Sequence, residues 1–168
     1  MPLPNIYQPE IIDINQNIRL RKYDGNYQIG LPWYQDPYVY NNSEGIFDDL
    51  KKPDLDYIKG MYSWLNENGE LYFIEILESD RYMPIGDITI KPENPPIAIG
   101  VRQYRGLGIG KLVMKAVIGR LRMLGYKKIF NSTVYKWNVV SQKMHEDLGF
   151  ICVNQTENEN IYDLVLIS

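Results

Sequence analysis

Three glycines alternate with other residues in the segment Arg105–Lys111, which reads Arg-Gly-Leu-Gly-Ile-Gly-Lys. The apolar stretch 97–101 precedes this segment and a run with helical apolar spacing follows it, so a strand, a loop and a helix are predicted in succession. Glycine lets a backbone approach a ligand closely and adopt positive φ. Because the first N–H groups of a helix are unpaired and the helix dipole favours negative charge there, the loop predicts a phosphate-binding site.

Two well-known phosphate-binding loops do not fit the segment. A P-loop needs Ser or Thr after its Gly-Lys pair, whereas Gly110-Lys111 is followed by Leu112. A dinucleotide-binding loop needs its third glycine one residue later, and an acidic residue about 20 positions downstream, where this chain has Lys127 and Lys128. The segment therefore argues against Mg-ATP and NAD as ligands.

The spacing Arg105-x-x-Gly108-x-Gly110 resembles the acetyl-CoA pyrophosphate loop of the GNAT N-acetyltransferases. The downstream segment 138–150, Asn-Val-Val-Ser-Gln-Lys-Met-His-Glu-Asp-Leu-Gly-Phe, is similar to a second motif of that family. The two motifs stand in the family's order, and the resemblance covers residues 84–150 well. It implies an acyltransferase that moves an acetyl group directly from acetyl-CoA to a primary amine. A glycine-rich turn without a ligand is the alternative for the loop taken alone.

The resemblance leaves the acceptor open. A small-molecule amine, such as an aminoglycoside-like polycation, is the first hypothesis, and a protein N-terminus, as in the ribosomal-protein acetyltransferases, is the second. A CoA-binding module without catalysis is an alternative of another class, because the chain departs from the second motif at one position. The family usually has tyrosine there to protonate the CoA thiolate, and this chain has His145, its only histidine.

The composition is that of an ordinary globular protein. With 168 residues, 45% of them hydrophobic, we expect a single domain over residues 1–168. A net charge of −3 argues against a nucleic-acid partner, and no apolar run approaches the ~20 residues that span a bilayer. One cysteine, Cys152, cannot form an internal disulfide, and these features together predict a cytoplasmic protein. A monomer or homodimer is expected. The apolar neighbours of Cys152 predict a buried strand residue, and one histidine with one cysteine provides no metal-ligand cluster.

Apolar periodicity predicts a succession of strands and helices. Strands are predicted over residues 17–22, 70–77, 84–90, 97–101, 128–134, 150–154 and 161–167. Helices are predicted over 53–68, 112–124 and 138–149, with short helices and a loop in 25–45. This order is typical of an α/β (α+β) fold with helices on both faces of a mixed sheet. The resemblance implies a GNAT-like, mainly antiparallel central sheet of about seven strands, with a V-shaped splay between the fourth and fifth strands for the pantetheine arm.

The cofactor-binding residues are expected to come from both motifs and from the strand before the loop. The backbone of residues 106–111 would bind the pyrophosphate, and the two flanking cationic side chains would add positive charge. The strand would pair with the pantetheine amides as an added strand does, and Asn138 would contact the pantetheine arm or simply cap its helix. The set is Ile99, Val101, Arg105, Gly106, Leu107, Gly108, Ile109, Gly110, Lys111, Asn138 and Ser141.

Three residues are candidates for proton transfer. His145 or Tyr135 would protonate the thiolate, and Asp87 would accept the proton of the amine. Aromatic residues near carboxylates suit an organic cation, through cation–π and charge contacts. The substrate-binding set is Trp33, Tyr34, Asp36, Tyr38, Glu44 and Glu75, of which Glu75 is also the second candidate base.

Overall fold

Eight strands form two antiparallel sheets in the computed structural model, which describes residues 3–167. The first sheet contains, in spatial order, β1 (Ile11–Asp13), β2 (Ile18–Lys22), β3 (Glu70–Glu78), β4 (Arg81–Ile90) and β5 (Ile97–Ile99). The second contains β6 (Lys128–Tyr135), β7 (Ile151–Gln155) and β8 (Glu159–Val165), with β8 in the middle. The predicted α+β class and the mainly antiparallel pairing are confirmed.

Five helices connect the strands within the described part of the chain. They are α1 (Leu31–Tyr34), α2 (Pro37–Glu44), α3 (Leu55–Asn68), α4 (Ile109–Met123) and α5 (Val139–Asp147). Side-chain oxygens of Asp36, Asp54 and Asn138 cap α2, α3 and α5, respectively, by accepting backbone N–H groups of the first turn. The helices predicted over 53–68, 112–124 and 138–149 are confirmed.

The strands of the first sheet separate two hydrophobic cores. Successive side chains of a strand point to opposite faces, so Tyr72 and Ile74 of β3 pack with α4 in one core. Their neighbours Leu71 and Phe73 pack with α1 and α3 in the other. Helices therefore cover both faces of the sheet, as the element order predicted.

A gap separates β5 from β6, each of which lies at an edge of its own sheet. The two sheets meet at Phe130 of β6, whose N–H and carbonyl pair at 2.9 Å with the carbonyl of Pro92 and the N–H of Asn94. Beyond this contact, β5 and β6 form no ladder within residues 3–167. The predicted splay between the fourth and fifth predicted strands, 97–101 and 128–134, is confirmed. It opens where the glycine loop and α5 begin.

Two features of the strands differ from the predictions. The short strand β1 was not predicted, because three residues carry too little periodicity to be recognised. The prediction that Cys152 is buried is wrong: β7 is the outer strand of the second sheet, and all five of its residues are exposed. No helix in residues 3–167 has the length and apolar character needed to cross a membrane.

Candidate functional site

The start of α4 presents a row of unpaired backbone N–H groups. Gly106 and Gly108 have φ of +74° and +81°, which glycine adopts without strain, and Gly108 is the N-cap residue. The N–H of Leu112 makes the first helical hydrogen bond, 3.1 Å to the carbonyl of Gly108. Within residues 3–167, none of the N–H groups of residues 106–111 has an acceptor. Six consecutive donors at a helix N-terminus fit the oxygens of a pyrophosphate.

The glycine loop lies against the second motif. A Cβ atom added to Gly110 would lie 3.6 Å from the Sδ atom of Met144 on α5, an ordinary contact distance. The ammonium of Lys111 is 3.6 Å from a carboxylate oxygen of Asp147, also on α5. The structure therefore brings together the two segments on which the resemblance rests.

The outer edge of β5 faces the gap. The N–H of Gly100 donates to the carbonyl of Ile85 on β4 at 2.7 Å, so this pair belongs to the hydrogen-bonded side of the ladder. Because backbone groups alternate in direction along an antiparallel strand, those of Ile97 and Ile99 point away from β4 and into the gap. The N–H of Ile99 is thus free to pair with an added strand-like ligand, whereas its carbonyl accepts Nε of Arg105 at 2.9 Å.

The backbone of Val101 is not open in the same way. Its N–H donates to the carbonyl of Ile85 at 3.2 Å, and its carbonyl accepts the N–H of Tyr104 at 3.1 Å. The pairing with pantetheine that was predicted for Val101 therefore finds no free backbone group. Its side chain packs, partly buried, against both cores.

Arg105 connects β5 to the start of α2 by hydrogen bonds and an ion pair. Its Nε donates to the carbonyl of Ile99 at 2.9 Å, and one terminal nitrogen donates to the carbonyl of Gly100 at 3.0 Å and to Asp36 at 2.9 Å. The guanidinium also lies over the ring of Tyr38, 4.4 Å from its centre. The predicted positive charge of Arg105 is thus directed to Asp36 and not to the loop, and the carboxylate of Asp36 already has a cationic partner.

Asp87 lies in an enclosed network of two tyrosines. Its carboxylate is 2% exposed and accepts the hydroxyl of Tyr34 on α1 at 3.0 Å and that of Tyr62 on α3 at 2.7 Å. Burial raises the pKa of Asp87 to about 7, against the two hydrogen bonds, which lower it, and with a further rise from the charge of Glu44. A carboxylate of that pKa suits a general base. Its proton would have to arrive through one of the tyrosine hydroxyls.

His145 joins α5 to β6 inside the protein. The ring is 4% exposed; its Nδ1 donates to the carbonyl of Ser141 at 2.7 Å, and its Nε2 is 3.1 Å from the hydroxyl of Ser132. Burial lowers the pKa of His145, although the bond to Ser141 opposes this, so the ring is neutral at pH 7. A carbonyl can only accept, which fixes the proton on Nδ1 and makes Nε2 the acceptor. In this arrangement, the imidazole has no free proton for a leaving thiolate.

The end of α2 reaches across the gap to the second sheet. A Cβ added to Gly45 would lie 2.7 Å from the hydroxyl oxygen of Tyr135, the last residue of β6. The Tyr135 ring stacks on Trp137, with centroids 4.6 Å apart, and the indole N–H donates to the carbonyl of Asn41 at 2.9 Å. Burial raises the pKa of Glu44, the last residue of α2, although its hydrogen bond with Tyr57 lowers it. Glu44 and Tyr135 are thus brought together beside the gap.

The other predicted substrate residues have structural partners. Glu75 lies on β3, the middle strand of the first sheet, and accepts the Nε groups of Arg19 and Arg21 on β2, each at 2.8 Å. Trp33 and Tyr34 are 6% and 3% exposed and belong to the core between α1, α3 and the sheet. Of the three predicted aromatic residues, Trp33, Tyr34 and Tyr38, only Tyr38 on α2 is exposed.

Four residues of the site were not predicted from the sequence. Tyr57, Tyr62, Ser132 and Trp137 contact the predicted residues only through the fold. A partial signal exists for Tyr62: it stands at helical spacing with Ile58 and Leu65 in the sequence, and a buried tyrosine hydroxyl requires a polar partner. Nothing in the sequence identifies Asp87 as that partner.

Comparisons with known proteins agree with this geometry. The profile of the Acetyltransferase (GNAT) family matches residues 30–150, well over half of the chain. A domain from Methanocaldococcus jannaschii DSM 2661 has a similar structure, with TM-score 0.73, 26% identity and coverage of 88% of this chain and 97% of that one. No curated protein matches the sequence significantly.

Two other solved structures share the fold at lower identity. The microcin C7 self-immunity acetyltransferase MccE, in complex with acetyl-CoA and AMP, has TM-score 0.70, 16% identity and coverage of 94% of this chain and 97% of that one. RimL, a ribosomal L7/L12 α-N-protein acetyltransferase in complex with CoA, has TM-score 0.66, 14% identity and coverage of 93% and 98%. The fold is therefore found both in a self-immunity acetyltransferase and in an α-N-protein acetyltransferase.

Proposed function

This chain belongs to the GNAT acetyltransferase family, and we propose that it transfers the acetyl group of acetyl-CoA directly to the primary amine of a small molecule. The observation that carries the proposal is the row of six unpaired N–H groups of residues 106–111, which lies beside Ile97 of β5. The acetyl-CoA and CoA complexes of MccE and RimL, which have this fold, support the same ligand here.

Positioning is the main contribution that the chain makes to the reaction. The amine nitrogen attacks the thioester carbon, a C–N bond forms and the C–S bond breaks, so the amine loses a proton and the thiolate gains one. The loop amides hold the pyrophosphate, and the N–H of Ile99 is directed to polarise the thioester carbonyl. Correct positioning of both reactants lowers the barrier by about 7–11 kcal/mol, which explains why such a site needs few reactive side chains.

Tyr135 is the better placed of the two candidates for the acid. Burial, with the charges of Glu159 and Glu44, raises the pKa of Tyr135, so its hydroxyl keeps its proton at neutral pH. It lies at the end of β6 beside the gap, whereas the neutral ring of His145 has both nitrogens engaged. We propose that Tyr135 or water protonates the thiolate and that Asp87 accepts the amine proton through Tyr34 or Tyr62.

The loop is tested by a pair of glycine variants on the same helix. Gly108 at the start of α4 and Gly125 after its end both have positive φ, +81° and +87°. A Cβ atom added at either position would have no neighbouring atom within 4 Å. Valine at either position therefore introduces similar backbone strain, of order 1–3 kcal/mol. We expect only Gly108→Val to lose acetyl-CoA binding in calorimetry, because it displaces the amides of the loop.

The outcome of this pair decides the assignment. Unchanged CoA affinity in a folded Gly108→Val protein, or equal loss of affinity in Gly125→Val, would show that the loop does not hold the ligand. A thiol-release screen with acetyl-CoA over small amines, aminoglycosides and N-terminal peptides then identifies the acceptor. Turnover confined to peptides would make a protein N-terminus, and not a small molecule, the acceptor. No turnover with any amine would indicate a CoA-binding module without catalysis.

A further inference from the structure

The acidic residues near the site differ in whether a cation neutralises them. Asp36 is paired with Arg105, and Glu75 with two arginines. Among residues 3–167, neither Glu44 nor Glu159 forms an ion pair with a Lys or Arg side chain, although both are half-buried. A half-buried carboxylate without a cation is unfavourable unless a ligand supplies one.

The position of Glu44 makes its charge more unfavourable still. Glu44 is the last residue of α2, where the helix dipole disfavours negative charge. Its carboxylate lies between α3 and β6: it interacts with the hydroxyl of Tyr57, and its charge raises the pKa of Tyr135. The next residue, Gly45, lies directly against the hydroxyl of Tyr135, so Glu44 stands beside the end of β6.

Glu159 supplies a second carboxylate beside an aromatic surface. It is the residue opposite Tyr135 in the β6–β8 ladder. Tyr135 and Trp137 stack with their planes 10° apart, and Phe47 meets Trp137 edge-on at 5.0 Å. Trp137 is 36% exposed, so part of this aromatic surface is accessible to a ligand. Aromatic faces with carboxylates at the side bind organic cations.

The reaction itself shows which charge this site recognises. An amine attacks only when it is neutral, so its own nitrogen does not provide the positive charge at the moment of transfer. We propose that Glu44 and Glu159, beside the stacked rings of Tyr135 and Trp137, bind a second cationic group of the acceptor. The acceptor is then a small organic molecule with at least two amino or guanidino groups. This inference depends on the proposed acetyltransferase function.

The test compares ligands that differ only in the second charge. Short α,ω-diamines of graded length are compared with the amino alcohols of the same length, and their binding to CoA-saturated protein is measured by calorimetry. A charged hydrogen bond makes a difference of about tenfold or more in Kd, so at least one diamine should bind that much more tightly than its amino alcohol. The preference should disappear in Glu44→Gln and weaken in Glu159→Gln.

Glu67→Gln is the matched control. Glu67 is an exposed residue near the end of α3, and its replacement changes the net charge by the same amount. It should keep the preference for diamines. Glu44→Gln should not lower the melting temperature, because it removes a charge that has no cationic partner.

Several outcomes would overturn the inference. They are equal binding of diamines and amino alcohols, no binding of either, a preference that survives in Glu44→Gln, and a preference lost equally in Glu67→Gln. If simple monoamines are acetylated as well as diamines, the acetyltransferase function stands and only the second-cation site is wrong. If the protein fails to bind acetyl-CoA, the proposed function itself is wrong.

Discussion

Replacing Asp87 with asparagine tests the most strongly perturbed acidic group of the site. Burial raises the pKa of Asp87 from its ordinary value of 3.8 to about 7. One unit corresponds to about 1.4 kcal/mol, so ionised Asp87 lowers the stability of the fold by roughly 4 kcal/mol well above pH 7. Because the pKa is raised in the folded state, the full stability of the protein with neutral Asp87 is present below about pH 4. It is lost as the pH rises through about 7.

Asparagine keeps the shape of the side chain and accepts the hydroxyls of Tyr34 and Tyr62 without a charge. Urea unfolding at a series of pH values should show wild-type stability falling by roughly 2–3 kcal/mol between about pH 5 and pH 8, relative to Asp87→Asn. Asp80→Asn, the same change in an exposed turn, should follow the wild type. Parallel curves for wild type and Asp87→Asn would refute the argument that an enclosed carboxylate is being ionised.

Two further predictions concern His145 and the class of ligand. Because His145 packs on Phe150 and Tyr162 and bonds both adjacent elements, His145→Ala should lower stability by about 2–4 kcal/mol and change turnover per folded molecule little. A tenfold or larger loss of kcat at an unchanged melting temperature would instead make it the general acid. Calorimetry should show CoA binding without comparable binding of Mg-ATP or NAD, since the loop lacks the partners those ligands need; tight Mg-ATP binding would contradict this.

The sequence was sufficient where the determinants are local. The helix caps Asp54 and Asn138 bind backbone groups within three residues of themselves, so the helix starts could be predicted from short segments. The glycine loop binds through its backbone, and the positive φ values of Gly106 and Gly108 are a property of the glycines themselves. Both features therefore appear in the sequence in a form that does not depend on the rest of the fold.

The roles of the acidic residues could not be predicted in the same way. The partners of Asp87 lie 53 and 25 residues away along the chain, on α1 and α3. Arg105 and Asp36 are 69 residues apart, and nothing in either segment indicates the other. Whether a carboxylate is neutralised or left without a cation is decided only when distant elements meet, so the sequence identified candidate residues without separating structural from functional ones.

The distribution of neutralised and unpaired carboxylates has a consequence for turnover. Arginines hold Asp36 and Glu75 in ion pairs, whereas Glu44 at the end of α2 forms no ion pair with a Lys or Arg side chain of residues 3–167. The acceptor that we propose enters with a positive charge on each amino or guanidino group, and each transfer converts one amine into a neutral amide. In the proposed arrangement Glu44 binds the second cationic group, which keeps its charge, so acetylation lowers the charge of the product as a whole without removing this contact. Under the proposed function, the charge of Glu44, which has no cationic partner within residues 3–167, thus favours entry of the cationic substrate.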